Sequence, residues 1–270
     1  VIAAVHPGLW HPAVLAKLGA TADHLSKGRF AINVVSGWFK DEFTHLGEPW
    51  LEHDERYQYG GEWLEFVERL WTAEGEFAFD GRYFQAQELE SEPKPVQNPR
   101  PVLINAGNSS AGTDFSAKYV DINFASLDLE KMPDYTQAIK KKAKDEYRRQ
   151  ISTMTYGLVV CRDTEEEAQR AFQQVVDEGD WGAAGNVIKM ATSGASQSFD
   201  HAATKMQERF IAGWGGYPIV GTPEQVTEKL TELNDAGMQG MIFGLIDYNE
   251  ELKYFGDEVM PLLEQAGLRH

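Results

Sequence analysis

The chain is 270 residues long, with 42 acidic against 25 basic side chains, a formal charge of -17, 42% apolar residues, 25 Gly and 11 Pro. These proportions belong to a globular chain with material for a full core, and they exclude a disordered or collagen-like one. The acidic balance argues against nucleic acid or an anionic membrane as partner, because both demand a basic patch and the longest basic run is Lys140-Lys141-Lys142.

Val1–Val5 is a short run of β-formers and predicts a strand. Pro12 opens a helix with Val14, Leu15, Leu18, Ala22 and Leu25 at helical spacing, which Gly28 ends. Phe30–Val35 is a second strand, leading into a polar, aromatic loop that runs to about Asp54. Tyr57–Trp71 is a helix with Trp63, Phe66, Val67 and Leu70 on one face. Phe77–Phe79 and Tyr83–Gln85 form a hairpin around Asp80-Gly81. Val102–Asn105, Ile122–Ala125, Thr153–Cys161 and Met241–Ile246 complete six strands. Helices fill the intervals: one from Ser109 or Ser110, one over Leu129–Arg149, one capped by Thr164 and Glu167, one capped by Thr222 and Gln225, and a last one ending near Gly267. Gly179–Ser198 is rich in Gly, Ala and Ser and reads as a mobile segment.

Strand–helix alternation with apolar strands implies a parallel sheet covered on both faces. Six strands suit a doubly wound open sheet; a closed (β/α)8 barrel needs eight, and periodicity leaves the two open. The lone Cys161 allows neither an internal disulfide nor a cysteine-built metal site, and no metal is expected from the His spacing either. No run approaches the roughly 18 apolar residues of a membrane span. Val1 opens directly into a strand without a signal peptide, so the expectation is cytoplasmic, no membrane, no nucleic acid.

In either architecture ligands bind at the carboxyl ends of strands. That rule selects four loops: Val5–Gly8, Asn33–Trp38, Ala106–Ser110 and Asp247–Asn249. In the third, a strand runs through Gly107-Asn108-Ser109-Ser110 into a helix. Glycine allows close approach, and the helix N-terminus offers unpaired N–H groups to a phosphate, although a plain N-cap needs the same Ser. Asn33 is polar inside an apolar strand and must find a partner, either a neighbouring backbone or a heterocyclic ligand; Ser36-Gly37 leave room for the latter. His53 and Tyr57 can both reach a strand-end cavity, with Asp54 a candidate helix cap, and Trp38 and Trp50 sit in the polar loop as candidate pocket walls. Nucleophile elbows, Walker loops and dinucleotide fingerprints are missing from the sequence.

Four ordered segments resemble those of the bacterial-luciferase-like flavin monooxygenases: 28–38 (Gly28-Arg29-Phe30 to Ser36-Gly37-Trp38), 47–57 (Gly47-Glu48-Pro49-Trp50 to Arg56-Tyr57), 106–112 (Ala106-Gly107-Asn108-Ser109-Ser110-Ala111-Gly112) and 213–223 (Gly213-Trp214 to Thr222-Pro223). The resemblance spans the chain and is nearest the two-component enzymes for small organosulfur compounds. It implies a single luciferase-like (β/α)8 barrel over 1–270, entered at the family's third strand and so without the first two, with a mobile insertion near 179–200. It implies reduced FMN and O2 as co-reactants, a separate NAD(P)H-dependent flavin reductase as partner, a sulfone or sulfonate as substrate with C–S cleavage, and a homodimer or homotetramer. Carried over by motif, Asn33, Ser36, Tyr57, Gly107, Asn108, Ser109 and Ser110 would bind the flavin, and His6, His53 and Arg209 would serve the chemistry, with Trp214–Tyr217 as a substrate or lid contact. A non-catalytic flavin carrier and a deazaflavin-dependent oxidoreductase are the alternatives.

Overall fold

The computed structural model describes residues 1–193 and 203–269. It divides into two compact units: Val1–Asn123 with Lys142–Ile151, and Phe124–Lys141 with Ser152–Ser193 and the described residues from 203 onward.

The first unit is built from β1 (Ile2–Val5), a 3-10 turn over Pro7–Leu9, α1 (Pro12–Ser26), β2 (Ala31–Val34), α2 (Lys40–His45), α3 (His53–Thr72), β3 (Phe77–Asp80), β4 (Gln85–Leu89), β5 (Val102–Asn105), α4 (Ser110–Tyr119) and β6 (Ile122–Phe124). The strands β1, β2, β5 and β6 pair in that order, all parallel, with Ala4 beside Asn33 and Asn33 beside Ile104. α3 supplies most of the core: Trp63, Leu64, Phe66, Val67, Leu70 and Trp71 are all buried, as their spacing predicts. The two indoles are also satisfied, Trp63 donating to the Trp10 carbonyl at 2.7 Å and Trp71 to that of Ala16 at 2.8 Å.

α1 turns a different face inward from the one its large residues suggest. Leu15, Ala16, Gly19, Ala20 and Asp23 are buried, while Val14, Leu18 and Leu25 are exposed. Small residues are selected by close approach: a methyl group on Gly19 would lie 2.8 Å from the Trp71 ring. Asp23 is buried because its carboxylate accepts from the Val96 and Gln97 backbone N–H groups at 2.7 and 2.9 Å. The hairpin also differs from its Asp-Gly reading. Asp80 still pairs with Gln85, so the connection is the four-residue loop Gly81–Phe84. Glu62 of α3 holds that loop by accepting from the N–H groups of Arg82, Tyr83 and Phe84 at 2.9, 2.7 and 2.7 Å.

In the second unit, α5 (Met132–Tyr147) leads in, followed by β7 (Ser152–Cys161), α6 (Glu165–Asp177), α7 (Trp181–Ser193), α8 (Ala203–Gly213), β8 (Tyr217–Gly221), α9 (Pro223–Asp235), β9 (Gly240–Gly244), α10 (Tyr248–Tyr254), a π-helical turn over Phe255–Val259 and α11 (Met260–Gln265). β7 lies between β8 and β9, parallel to both. Its core joins Val159, Ile219, Val226, Leu233, Phe255 and Val259. β8 is a seventh parallel strand beyond the six read from sequence, where Pro218 and the glycines before it suggest a loop; its pairing with β7, Pro218 beside Leu158 and Val220 beside Val160, makes it a strand. Within the Gly/Ala/Ser-rich stretch, 181–193 is helical, and 194–202 lie outside the described residues.

Candidate active site at the strand ends of the first unit

The site starts where β1 and β2 end. His6 follows Val5 and opens the 3-10 turn, with its ring edge-on to Phe43 at 5.7 Å and its Nε2 3.7 Å from the Glu42 carboxylate. Its Nδ1 is buried and makes no hydrogen bond. Burial holds the imidazole below its ordinary value of 6.5, against the opposing pull of Glu42 and of the nearby Val35 backbone, so the ring is neutral near pH 7. Asn33 points to the face of β2 opposite Ile32 and Val34, because successive side chains alternate. Its Oδ1 is likewise buried and without a partner. The backbone reading of Asn33 is therefore incomplete: at least one of its polar atoms waits for a donor.

The loop between β5 and α4 lies next along the strand order. Ser109 is the N-cap of α4, and its Oγ accepts from the Gly112 N–H at 3.2 Å. The same Oγ is 3.3 Å from His53 Nε2. His53 Nδ1 is 2.7 Å from the Asp54 carboxylate, which accepts only, so Nδ1 carries the proton. Asp54 thus orients His53 rather than capping α3, whose N-cap is Glu52. Tyr57 stands one turn further on, edge-on to the His53 ring at 5.3 Å. Burial raises the Tyr57 phenol above its ordinary range, opposed by a hydrogen bond to Ser109 and by the charge of Arg56, and it is un-ionised at neutral pH.

Gly107 is required by proximity. A Cβ there would lie 2.6 Å from the Tyr57 hydroxyl, 2.8 Å from Asn105 Oδ1 and 2.9 Å from Gly112 Cα. The loop is held from beneath by Asn105, whose Oδ1 accepts from the Gly107 N–H at 2.8 Å and from the Ser116 hydroxyl at 2.9 Å. Asn108 and Ser110 complete the turn of chain over the α4 N-terminus, with Ser110 as the first helical residue. The structure therefore links His53 to Ser109 and to Tyr57, and Tyr57 to Gly107, with Asn33 and His6 on the neighbouring strand ends.

Ser36 also ends β2, and its buried Oγ has no partner. It opens into a cleft of about 70 Å³ that it shares with Phe43 and Arg56. Arg56 stacks 4.0 Å above the Trp50 ring and donates to the Leu51 carbonyl at 2.7 Å, while its Nε is buried and unpaired. Trp50 thus carries a guanidinium, and Trp38 packs on Phe39 at 5.7 Å. Arg209 belongs to the second unit, where it donates to Asp128 at 3.0 Å and lies over the Tyr217 ring. Trp214, at the end of the same helix, is exposed and edge-on to Phe210. Asp247 caps α10 through the Asn249 N–H.

Sequence reasoning missed Asn105 and Arg56. Asn105 shows a signal like that of Asn33, a polar residue in an apolar strand, here at its end. Arg56 lies between His53 and Tyr57, where a cation beside Trp50 in a helix's first turn is the available cue.

Comparison with known proteins places the whole chain among relatives of one kind. The model of the luciferase-like monooxygenase family matches residues 1–240. The FMNH(2)-dependent dimethylsulfone monooxygenase of Pseudomonas putida is 34% identical over 271 residues, spanning 98% of this chain and 74% of its own. Among solved structures, riboflavin lyase, described with modified FMN and riboflavin, superposes with a TM-score of 0.87 at 23% identity, over 100% of this chain and 71% of its own. A long-chain alkane monooxygenase superposes with a TM-score of 0.84 at 25% identity, over 100% of this chain and 70% of its own.

Proposed function

This chain belongs to the luciferase-like monooxygenase family, and on that premise we propose that it is a reduced-FMN-dependent monooxygenase acting on a small sulfone. One observation carries the reading: the buried, unpaired Asn33 Oδ1 and His6 Nδ1 stand at strand ends next to a helix N-terminus whose cap is tied to His53 and Tyr57. The first pair awaits a polar heterocycle, and the second group suits a phosphate. The donor set fits FMN, which joins these two chemistries in one molecule.

The Ser109 and Ser110 hydroxyls, with the N–H groups that open α4, hold the phosphate, and the α4 dipole favours its charge. Gly107 and Asn108 let the backbone approach, and the Tyr57 phenol, un-ionised, donates rather than repels. His53, fixed by Asp54 with its proton on Nδ1, holds the Ser109 hydroxyl through Nε2 until the phosphate, the stronger acceptor, draws that hydroxyl to itself. Asn33 Oδ1 accepts from the ring, and His6 presents a neutral imidazole beside it. Bound reduced flavin supplies two electrons to O2, so that one oxygen atom enters the substrate and the other leaves as water. The protein's part is to orient the reactants and exclude bulk water. Arg209 is engaged by Asp128, and no part in the chemistry is assigned to it. A separate NAD(P)H-dependent reductase supplies the reduced flavin.

The test is anaerobic titration with FMNH2 followed by addition of O2 with and without dimethyl sulfone. Sulfone-dependent loss of the C–S bond is expected. Binding without turnover would identify a flavin carrier, and preference for a deazaflavin would replace the oxygenase reading.

A further inference from the structure

The Ser109 hydroxyl has a single hydrogen and two claims on it. Its oxygen already accepts from the Gly112 N–H at 3.2 Å. His53 Nε2 stands 3.3 Å away, and Nδ1 of the same ring carries its proton toward Asp54 at 2.7 Å. Nε2 is therefore a lone pair, and the Ser109 hydrogen fills it. A phosphate at the α4 N-terminus takes that hydrogen for itself, because a charged acceptor makes the stronger bond. Nε2 and Ser109 Oγ then face each other as two acceptors, and the bond between them is lost unless the ring brings a hydrogen of its own.

The charges around the ring favour that. Asp54 lies against Nδ1, and the phosphate adds about two negative charges on the Nε2 side. Tyr57, edge-on at 5.3 Å, is un-ionised through burial. Arg56 opposes a second cation, but it is tied to the Leu51 carbonyl at 2.7 Å and stacked on Trp50, and the charge of Glu52 at the α3 N-cap acts on it. α4 brings no acidic residue in its first turn.

We propose that His53 takes up a proton from solvent when the flavin phosphate binds, so that FMN is held by an imidazolium donating from Nδ1 to Asp54 and from Nε2 to Ser109. One proton passes from water to Nε2, and no covalent bond to a heavy atom changes. Riboflavin, which has no phosphate, leaves the Ser109 hydrogen in place and takes up none. Above neutrality the cofactor is thus held less firmly as the pH rises. The inference rests on the phosphate reading of the α4 N-terminus and adds to it a proton-coupled choice between two flavins with the same ring.

Calorimetric titration of the whole chain with oxidised FMN and with riboflavin, in buffers of different ionisation enthalpy, counts the protons. Between pH 7 and 9 the phosphate stays doubly charged, its second ionisation lying at about pH 6. Riboflavin controls for ionisation of the shared ring. At pH 7.5 FMN is expected to take up about half a proton or more, and riboflavin none. From pH 7 to 9 FMN should weaken about fivefold or more, and riboflavin less than about twofold. His53→Gln keeps an N–H for Ser109 but has nothing to titrate, so FMN should bind it without proton uptake. Asp54→Asn removes a charge from an exposed side chain and should lower the uptake at pH 7.5. Where His53→Gln no longer binds, the His53 Cε1 proton resonance, assigned by its loss in that variant, decides: it should move to the imidazolium position with FMN and stay in place with riboflavin. FMN binding without proton uptake, or with the same uptake in His53→Gln, overturns the assignment and leaves the flavin reading standing. Failure of the wild-type chain to bind FMN at all overturns the flavin reading instead.

Discussion

Asn105 Nδ2 donates to the Val34 carbonyl at 2.7 Å, so the two neighbouring strands that carry the candidate site are joined by a side chain as well as by their main chains. The other end of that amide grips Gly107 and Ser116, and Asn123 closes the network by donating to Ser116 Oγ at 3.0 Å. Replacing Asn105 by Leu would strand the Gly107 N–H and the Val34 carbonyl in a buried setting. A loss of about 3 kcal/mol in unfolding free energy is expected, since each orphaned group costs about 1–3 kcal/mol. Denaturant titration checks it; a change below about 0.5 kcal/mol would mean that the network is ornamental.

The phosphate reading separates FMN from riboflavin, which differ only by that group. Ser109→Ala with Ser110→Ala should weaken FMN by about 1–3 kcal/mol while leaving riboflavin within about 0.5 kcal/mol. Fluorescence titration of both flavins gives the comparison. Equal losses for the two would indicate that Ser109 acts only as the N-cap observed at Gly112.

Gly107→Ala should cost about 1–3 kcal/mol, because its Cβ meets the Tyr57 hydroxyl and the Gly112 backbone at once. Tyr57→Phe removes the nearer obstacle. The double variant should therefore be more stable than the sum of the single losses predicts, by about 0.5 kcal/mol or more. Strict additivity in thermal melts would show that the loop moves away from Tyr57 freely.

His6 gives the stability a pH dependence of definite sign. Its folded pKa lies below 6.5 chiefly through burial, so on acidification the unfolded chain takes up its proton first. The contribution is intact above about 6.5 and is lost as the pH falls toward the folded value. His6→Gln has no such term. The stability of the wild type relative to that variant should shrink between pH 7.5 and 5, and a parallel pair of curves would refute it.

Much of this arrangement was legible in the sequence. The strand ends were found because apolar runs stop at Gly and Ser, and Asn33 stood out as polar within one of them. Both halves of the Thr222–Gln225 capping box form as the spacing requires, whereas at Thr164 the structure shows the Thr164–Glu167 backbone half. What escaped was set by contacts distant in sequence. Glu62 stabilises a four-residue loop that local turn chemistry assigns to Asp-Gly, and Trp71 selects glycine and alanine on α1 where periodicity favours the larger Val14 and Leu18. β8 depends on pairing with β7, more than 50 residues earlier, which outweighs the loop signals of its own Gly and Pro.

α3 begins with His53, Arg56 and Tyr57 and continues as Trp63 to Trp71, all within 20 residues. The end that carries His53 and Tyr57 and the end that fills the core are thus one rigid rod, and a tilt introduced at Trp71 is delivered to Tyr57. Substitutions on the segment from Phe43 to Leu51 largely avoid that coupling. That stretch contributes only Phe43 to the buried core, and apart from Trp50, which carries Arg56, its side chains can be exchanged without moving the rod.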